Sequence, residues 1–340
     1  MSGGTRTVPR ALLRARDLLL PAARDALSRL TPEIGRVAGY HFGFVDADGR
    51  PSESDGGKAV RPALALLSAE AVGSPAEVAL PGAVAIELVH NFSLLHDDVM
   101  DHDLERRHRP TAWALFGLGQ AIVTGDALMV LAQDVLRESP SPARAEAGRA
   151  LASATAAMIS GQAEDLSFEG RLDVSVEECL RMMSNKTGAL LSCAASIGAV
   201  LAGASEEAAG ALRDFGLQLG LAFQAVDDVL GIWGQPDVTG KPVASDLRAH
   251  KKSLPVVIAL ASSGAERDRL FHLLSDGSLS EDRLAEAAGL VERCGGRERA
   301  LRTAEGRLHE ALAALRRAPL AADAREQLEE VAAFVAARDF

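Results

Sequence analysis

The sequence predicts an all-α protein: one helical domain with many antiparallel helices. Two observations predict the helices. Ala and Leu dominate the apolar content, and both favour helix. Val and Ile are scattered rather than grouped into alternating strands, while long segments of 3.6-residue period recur between short Gly, Pro and Ser breaks.

Those breaks delimit the elements in order. Helices are expected near 9–30, 57–73, 76–101, 111–137, 141–169 and 175–203. They continue near 206–232, 252–263, 266–273, 280–294, 296–316 and 320–337. Residues 38–56 gather Asp46, Asp48, Gly49, Pro51, Ser52, Ser54 and Asp55 and read as a solvated loop. A second loop, 232–250, holds Gly234, Pro236, Gly240 and Pro242. No composition shift marks a linker, so residues 1–340 read as one domain.

The chain has 340 residues, 36 basic and 47 acidic, for a formal charge of −11. That balance argues against a nucleic-acid partner and against an anionic membrane surface. Aromatics are 4% of the chain, too few for rows of base-stacking side chains. Cys179, Cys193 and Cys294 are too few and too scattered for a disulfide framework or a zinc site, and they suit a reducing cytoplasm. Arg6, Arg10, Arg14 and Arg16 interrupt any signal-peptide pattern, and no membrane span is expected.

Chemistry enters with two acidic runs. In His96-Asp97-Asp98-Val99-Met100-Asp101, Asp97 and Asp101 share one helical face a turn apart. Leu88, Val89, Phe92, Leu94 and Leu95 precede them, so the carboxylates end a buried helix and need a cation. An all-oxygen donor set points to Mg²⁺, which completes its shell with water and substrate phosphates. Phe223-Gln224-Ala225-Val226-Asp227-Asp228 ends a second apolar helix with the same logic. If the two helices face each other, metal lies between their carboxylates. Arg106, Arg107, Lys58, Arg61, Lys186, Lys241, Lys251 and Lys252 supply cations of the kind that clamp diphosphates. The stretch Gly234 to Gly240-Lys241 is not a P-loop, because the glycine spacing and Pro242 are wrong. His96 and His102 lie six apart and do not share a face, which disfavours zinc.

These residues resemble the trans-isoprenyl diphosphate synthases, the polyprenyl synthetase family, over about 55–255. The resemblance rests on Gly56-Gly57-Lys58-Ala59-Val60-Arg61-Pro62, on Asp97-Asp98-Val99-Met100-Asp101 and on Arg106-Arg107 with Pro110-Thr111. Gly161-Gln162-Ala163-Glu164-Asp165, Lys186-Thr187-Gly188 and Phe223 to Asp228 follow in family order. It implies the all-α isoprenoid-synthase fold, a single-domain helical bundle around a central active-site cavity, a homodimer, and Mg²⁺-dependent head-to-tail condensation of isopentenyl diphosphate with an allylic prenyl diphosphate. By the same resemblance Asp97 and Asp101 hold two Mg²⁺ and Asp227 a third, with Asp98 and Asp228 beside them. Arg106, Lys186, Thr187, Gln224 and Lys241 contact the allylic diphosphate, and Lys251 is the match to a further family lysine. Lys58, Arg61, His90 and Arg107 hold isopentenyl diphosphate. The metals and cations stabilise the departing diphosphate, and an apolar pocket keeps water from the carbocation.

Three positions depart from the family pattern. Gly231 stands where a third Asp is usual, which weakens support of the third metal or simply marks a helix end. His108 and His250 stand where the family has Gly. Phe92 and Ser93, just before the first acidic run, resemble the chain-length floor of short-chain synthases, with geranylgeranyl diphosphate favoured over farnesyl diphosphate. Gly216 and Gly220 share a stripe that either opens tail space or permits close helix packing. Two other functions fit the same fold: a class I terpene cyclase, and a non-catalytic subunit of a heteromeric synthase. The retained isopentenyl-site residues oppose the first, and the intact acidic runs oppose the second.

Overall fold

The computed structural model describes residues 8–52, 57–235, 243–276 and 279–336. Helix α1 (Arg10–Leu27) buries a stripe of Leu12, Ala15, Leu19, Ala23 and Ala26. Helix α2 (Pro32–His41) was not expected from the sequence, and the loop assigned to 38–56 begins later. Pro32 presets its first turn, and burial of Val37, Ala38 and Tyr40 outweighs the helix-weakening Gly35 and Gly39. The following turn is closed by Asp46, whose Oδ1 accepts from the backbone N–H groups of Asp48 and Arg50, each at 2.9 Å.

Helix α3 (Val60–Ala71) is buried around most of its circumference, as is α4 (Leu80–Met100), entered through a 3₁₀ turn at Ala76–Ala79. A two-strand hairpin, β1 (Glu105–Arg106) and β2 (Arg109–Pro110), follows α4. The segment expected as one helix over 111–137 breaks at Gly117 (φ +88°) into α5 (Ala112–Phe116) and α6 (Leu118–Arg137). Helix α7 (Arg144–Phe168) matches expectation closely.

The helix expected at 175–203 is interrupted. A capping box between Ser175 and Glu178 starts α8 (Val176–Met183), a π-turn occupies Ser184–Gly188, and α9 (Ala189–Leu201) resumes. Helix α10 (Glu206–Trp233) runs straight through Gly231, which therefore does not end it. Helices α11 (Ser245–Arg248), α12 (Leu254–Leu260), α13 (Ala265–Ser275), α14 (Glu281–Arg293), α15 (Gly296–Leu315) and α16 (Ala322–Ala336) complete the described chain. The short α11 lies inside the expected 232–250 loop.

Two compact units are distinguished. The first comprises the described residues of Met1–Ser153, Cys193–Arg213 and Leu315–Phe334. Within it α4 is central, packed most extensively on α6 and also on α3 and α1. The second comprises the described residues of Ala154–Ser192, Asp214–Ala314 and Val335–Phe340. One of its cores gathers Met182, Met183, Leu221, Val226, Leu254 and Ile258, and another gathers Ile232, Val256, Leu270, Leu284 and Val291. Gly220 serves close packing: a Cβ there would lie 2.7 Å from the Cα of Gly188. Ala76–Met100 and Glu206–Trp233 are long and apolar enough to cross a membrane by composition, but 67% of each apolar window is buried in protein. Their apolar surface is spent on the core.

Candidate active site

The site residues fall into two sets, one in each unit. The first set starts at the C-terminal end of α4. Asp97 is half-buried, Asp98 is buried and Asp101 is half-buried just past the helix end. Carboxylates at a helix C-terminus oppose the macrodipole, which raises the need for cations there. Arg106, from β1, meets that need at Asp98: its Nε donates to Oδ1 at 2.6 Å. Asp98, Asp103 and Asp97 together hold the guanidinium pKa above its ordinary value despite burial.

The hairpin turn carries the next residues. Arg107 (φ +52°) and His108 (φ +58°) are its two central residues, both left-handed, between the paired Arg106 and Arg109. That is the geometry of a type I′ turn, where Gly or Asn is preferred. The Gly usual in the family at position 108 thus has a backbone reason. Gly57 (φ +97°) sits in left-handed backbone that favours glycine, and a Cβ there would lie 2.9 Å from Nη2 of Arg107, at the flexible end of that side chain. This close approach sets Arg107 against Gly57, while Arg61, in the first turn of α3, lies 3.2 Å from Nε2 of His90 on α4.

Sequence reasoning missed His41, Glu87 and Asn91 in this set. His41, at the end of α2, has its pKa pushed down to about 3 by burial and by Arg106, Arg107 and Arg109. Burial raises the pKa of Glu87, whose carboxylate accepts from Asn91 at 3.0 Å. His90 is likewise held well below its usual value by burial and by Arg61, Arg107 and Arg106. Both imidazoles are neutral near pH 7 and leave the positive charge to the arginines.

Phe92 is buried and meets the His96 ring edge-on, with centroids 4.9 Å apart. His96 in turn lies 3.0 Å from the carbonyl of Ile122 and fills the space above Gly125. Ser93 turns its hydroxyl back onto the carbonyl of His90 at 2.8 Å.

The second set centres on α10 and the π-turn. Thr187 donates to Oε1 of Gln224 at 2.7 Å, and Nε2 of Gln224 donates to Oδ1 of Asp228 at 2.8 Å. Oδ2 of Asp228 accepts from the N–H of Leu254 at 2.8 Å, at the start of α12. One carboxylate thus joins three elements. Burial first, then Asp246, pushes its pKa up to about 7. Lys186 reaches Asp165 at 2.5 Å. The π-turn owes its place to Gly161, because a Cβ there would lie 2.8 Å from the Cα of Lys186. Asp227 is half-buried beside Asp228. Lys251 is half-buried, while the adjacent Lys252 is buried and donates to the carbonyls of Glu169 and His250 at 2.8 and 2.6 Å. Lys252 is a structural residue, and Lys241 lies outside the described residues.

Among the described residues no three His, Cys, Asp or Glu side chains are already gathered as a complete cation cage. The donor set still fits Mg²⁺. Every acidic group in both runs is a hard carboxylate, and Mg²⁺ needs only one or two of them when phosphates and water supply the rest. Burial first, and after it the neighbouring Asp246 and Asp227 carboxylates, raises the Asp228 pKa, and a divalent cation would offset the charge of those carboxylates.

The polyprenyl synthetase family model matches residues 52–291. The chain belongs to the polyprenyl synthetase family. It is 50% identical over 308 residues to a (2E,6E)-farnesyl diphosphate synthase of Mycobacterium tuberculosis, covering 89% of this chain and 85% of that protein. It is 42% identical over 309 residues to a geranylgeranyl diphosphate synthase of the same species, covering 90% and 88%. A polyprenyl synthetase crystal structure from Streptomyces coelicolor superposes with TM-score 0.92 at 53% identity, over 97% of this chain and 99% of that one. A Corynebacterium glutamicum geranylgeranyl pyrophosphate synthase, complexed with isoprenyl diphosphate and magnesium, superposes with TM-score 0.84 at 25% identity, over 98% and 100%. As a polyprenyl synthetase the protein is a prenyltransferase with the all-α isoprenoid-synthase fold.

Proposed function

We propose that this polyprenyl synthetase condenses isopentenyl diphosphate head-to-tail with an allylic prenyl diphosphate and releases a short-chain product. The observation that carries the reading is the Gly57–Arg107–Arg61–His90 assembly, which a cyclase acting on one diphosphate does not need. Lys58, Arg61, His90 and Arg107 bind the isopentenyl diphosphate, with the neutral His90 offering hydrogen bonds rather than charge. Arg106, Lys186, Thr187, Gln224 and Lys241 bind the allylic diphosphate, and Lys251 adds a cation. Asp97 and Asp101 hold Mg²⁺, and Asp227 holds a third ion. Bound Mg²⁺ would supply the positive charge that stabilises diphosphate as the allylic C–O bond breaks.

The remaining steps belong to the chain. Asp98 orients Arg106 toward the leaving group, and Asp228 holds Gln224, which holds Thr187. Buried Phe92 ends the room for the growing tail, with Ser93 one position on. The sequence alone favours geranylgeranyl diphosphate as product. The name of the 50% identical relative reverses that order and supports farnesyl diphosphate, with geranylgeranyl diphosphate second on the 42% identical relative.

We also propose that the chain acts as one catalytic domain, in the cytoplasm, as a homodimer. The thiols of Cys179 and Cys193 are buried and held high by that burial, which suits a reducing compartment. Leu115, Leu118, Ile122, Val123 and Val130 are exposed along α5 and α6, and a second copy would cover them.

The test is purified protein with Mg²⁺, isopentenyl diphosphate and C5, C10 or C15 primers, with products sized after dephosphorylation. Elongation to C15 or C20 is expected. Hydrocarbon release from a prenyl diphosphate alone, with no elongation, would sink the reading. Phe92→Ala is expected to lengthen the product, and an unchanged distribution removes Phe92 as the floor. Light scattering at the mass of one chain would exclude the dimer.

A further inference from the structure

Helix α2 ends at His41, and three contacts fasten that end and the turn after it to the hairpin. The Tyr40 hydroxyl donates to the carbonyl of Pro110 at 2.8 Å. The Arg109 guanidinium lies over the Tyr40 ring, 4.2 Å from its centroid. Nη2 of Arg109 also donates to the carbonyl of Val45 at 3.2 Å. His41 is thereby held beside the hairpin whose turn carries Arg107, all within the first unit.

The residue is half-buried, but its Nε2 is sealed from solvent and has no hydrogen-bond partner among the described residues. A buried polar atom without a partner is costly, so one that persists beside a binding site points to a group that binds there. Its charged surroundings say which kind. Among the described residues, Arg106, Arg107 and Arg109 act on His41, and His41 acts in turn on His90. Nε2 of His90 is already engaged with Nη1 of Arg61 at 3.2 Å. Guanidinium groups only donate, so the cluster is rich in donors and short of acceptors. Phosphate oxygens are acceptors and carry the opposite charge.

We propose that His41 is a further ligand of the isopentenyl diphosphate, its Nε2–H donating to a phosphate oxygen held by Arg61, His90 and Arg107. The proposal rests on the condensation reading above and adds a residue to that site from an element outside the motifs. It also gives a reason for the residue type. A fourth cation at position 41 would repel the three arginines before substrate binds, whereas a neutral imidazole adds a donor without adding charge.

The experiment compares His41→Phe, which keeps a ring but no donor, with His41→Gln, whose amide nitrogen can stand in for Nε2. His41→Phe is expected to raise the KM for isopentenyl diphosphate about ten-fold or more, the effect of losing one hydrogen bond to a charged group. The KM for the allylic primer and kcat at saturation should stay within about two-fold. His41→Gln is expected to recover most of the lost affinity. An unmoved isopentenyl diphosphate KM in His41→Phe overturns the proposal. So does a rise in the allylic KM instead, or a fall in kcat that tracks a lower melting temperature in both variants. Calorimetry with isopentenyl diphosphate alone separates this proposal from the condensation reading. A wild type that binds it more tightly than His41→Phe, yet elongates no primer, sinks that reading and supports the role of His41. A wild type that does not bind it overturns both.

Discussion

Arg106 and Asp98 form a pair in which Nε meets Oδ1 at 2.6 Å while the carboxylate is 1% exposed. The two residues lie eight apart, on opposite sides of the end of α4. Asp98→Asn keeps the shape but removes the charge that holds the guanidinium. Breaking one side of a buried pair costs about 3–5 kcal/mol, and the partly exposed Arg106 brings the expected loss to roughly 2 kcal/mol. Urea unfolding of the variant would show this as a lower midpoint with an unchanged slope. Turnover is expected to fall about a hundred-fold, in line with loss of an oriented charge at the leaving group.

Acid sensitivity follows from His41 and His90. Each has a folded pKa below the ordinary histidine value, His41 at about 3 and His90 well below 6.5. Between those values and about pH 6.5 the unfolded chain binds protons that the folded chain refuses, so stability falls as pH drops through that window. His41→Gln is expected to flatten the decline in melting temperature between about pH 6.5 and pH 4. A variant with the wild-type slope would show that His41 does not contribute.

Gly161→Ala addresses the π-turn. The added Cβ meets the Lys186 backbone, which has no flexible end to move aside. Overpacking of this kind costs roughly 1–3 kcal/mol. The shift also displaces Lys186 and Thr187, so kcat is expected to fall more than the melting temperature alone explains. Equal kcat at full folding would refute the positioning role.

His108 and His250 both sit in left-handed backbone, at φ +58° and +53°. An L-residue there costs about 1–2 kcal/mol, while Gly loses roughly 0.5–1 kcal/mol more entropy on folding. The first effect is larger, so His108→Gly and His250→Gly are each expected to stabilise the protein by up to about 1 kcal/mol. Thermal unfolding measures both, and a lowered melting temperature in either would mean that the imidazole makes a compensating contact.

Much of this molecule was legible one residue at a time. The 3.6 period gave most helices, because burial of one face repeats along the chain. The acidic runs point to a cation, because like charges at the end of an apolar helix are destabilising unless offset. What the sequence could not show depends on distant backbone meeting distant backbone. Helix α2 exists because Val37, Ala38 and Tyr40 find a core. The π-turn at Ser184–Gly188 is allowed by Gly161, more than twenty residues earlier. Gly57 and Arg107 are neighbours only once α3 and the β1–β2 hairpin are in place.

Gly231 marks the boundary between the two kinds of knowledge. By itself the sequence determined that α10 carries Asp227 and Asp228 and lacks a carboxylate one turn on. Only the tertiary structure decided that Asp246 fills that volume. A helical period reports which side chains share a face, whereas occupation of a volume depends on every element that folds against it.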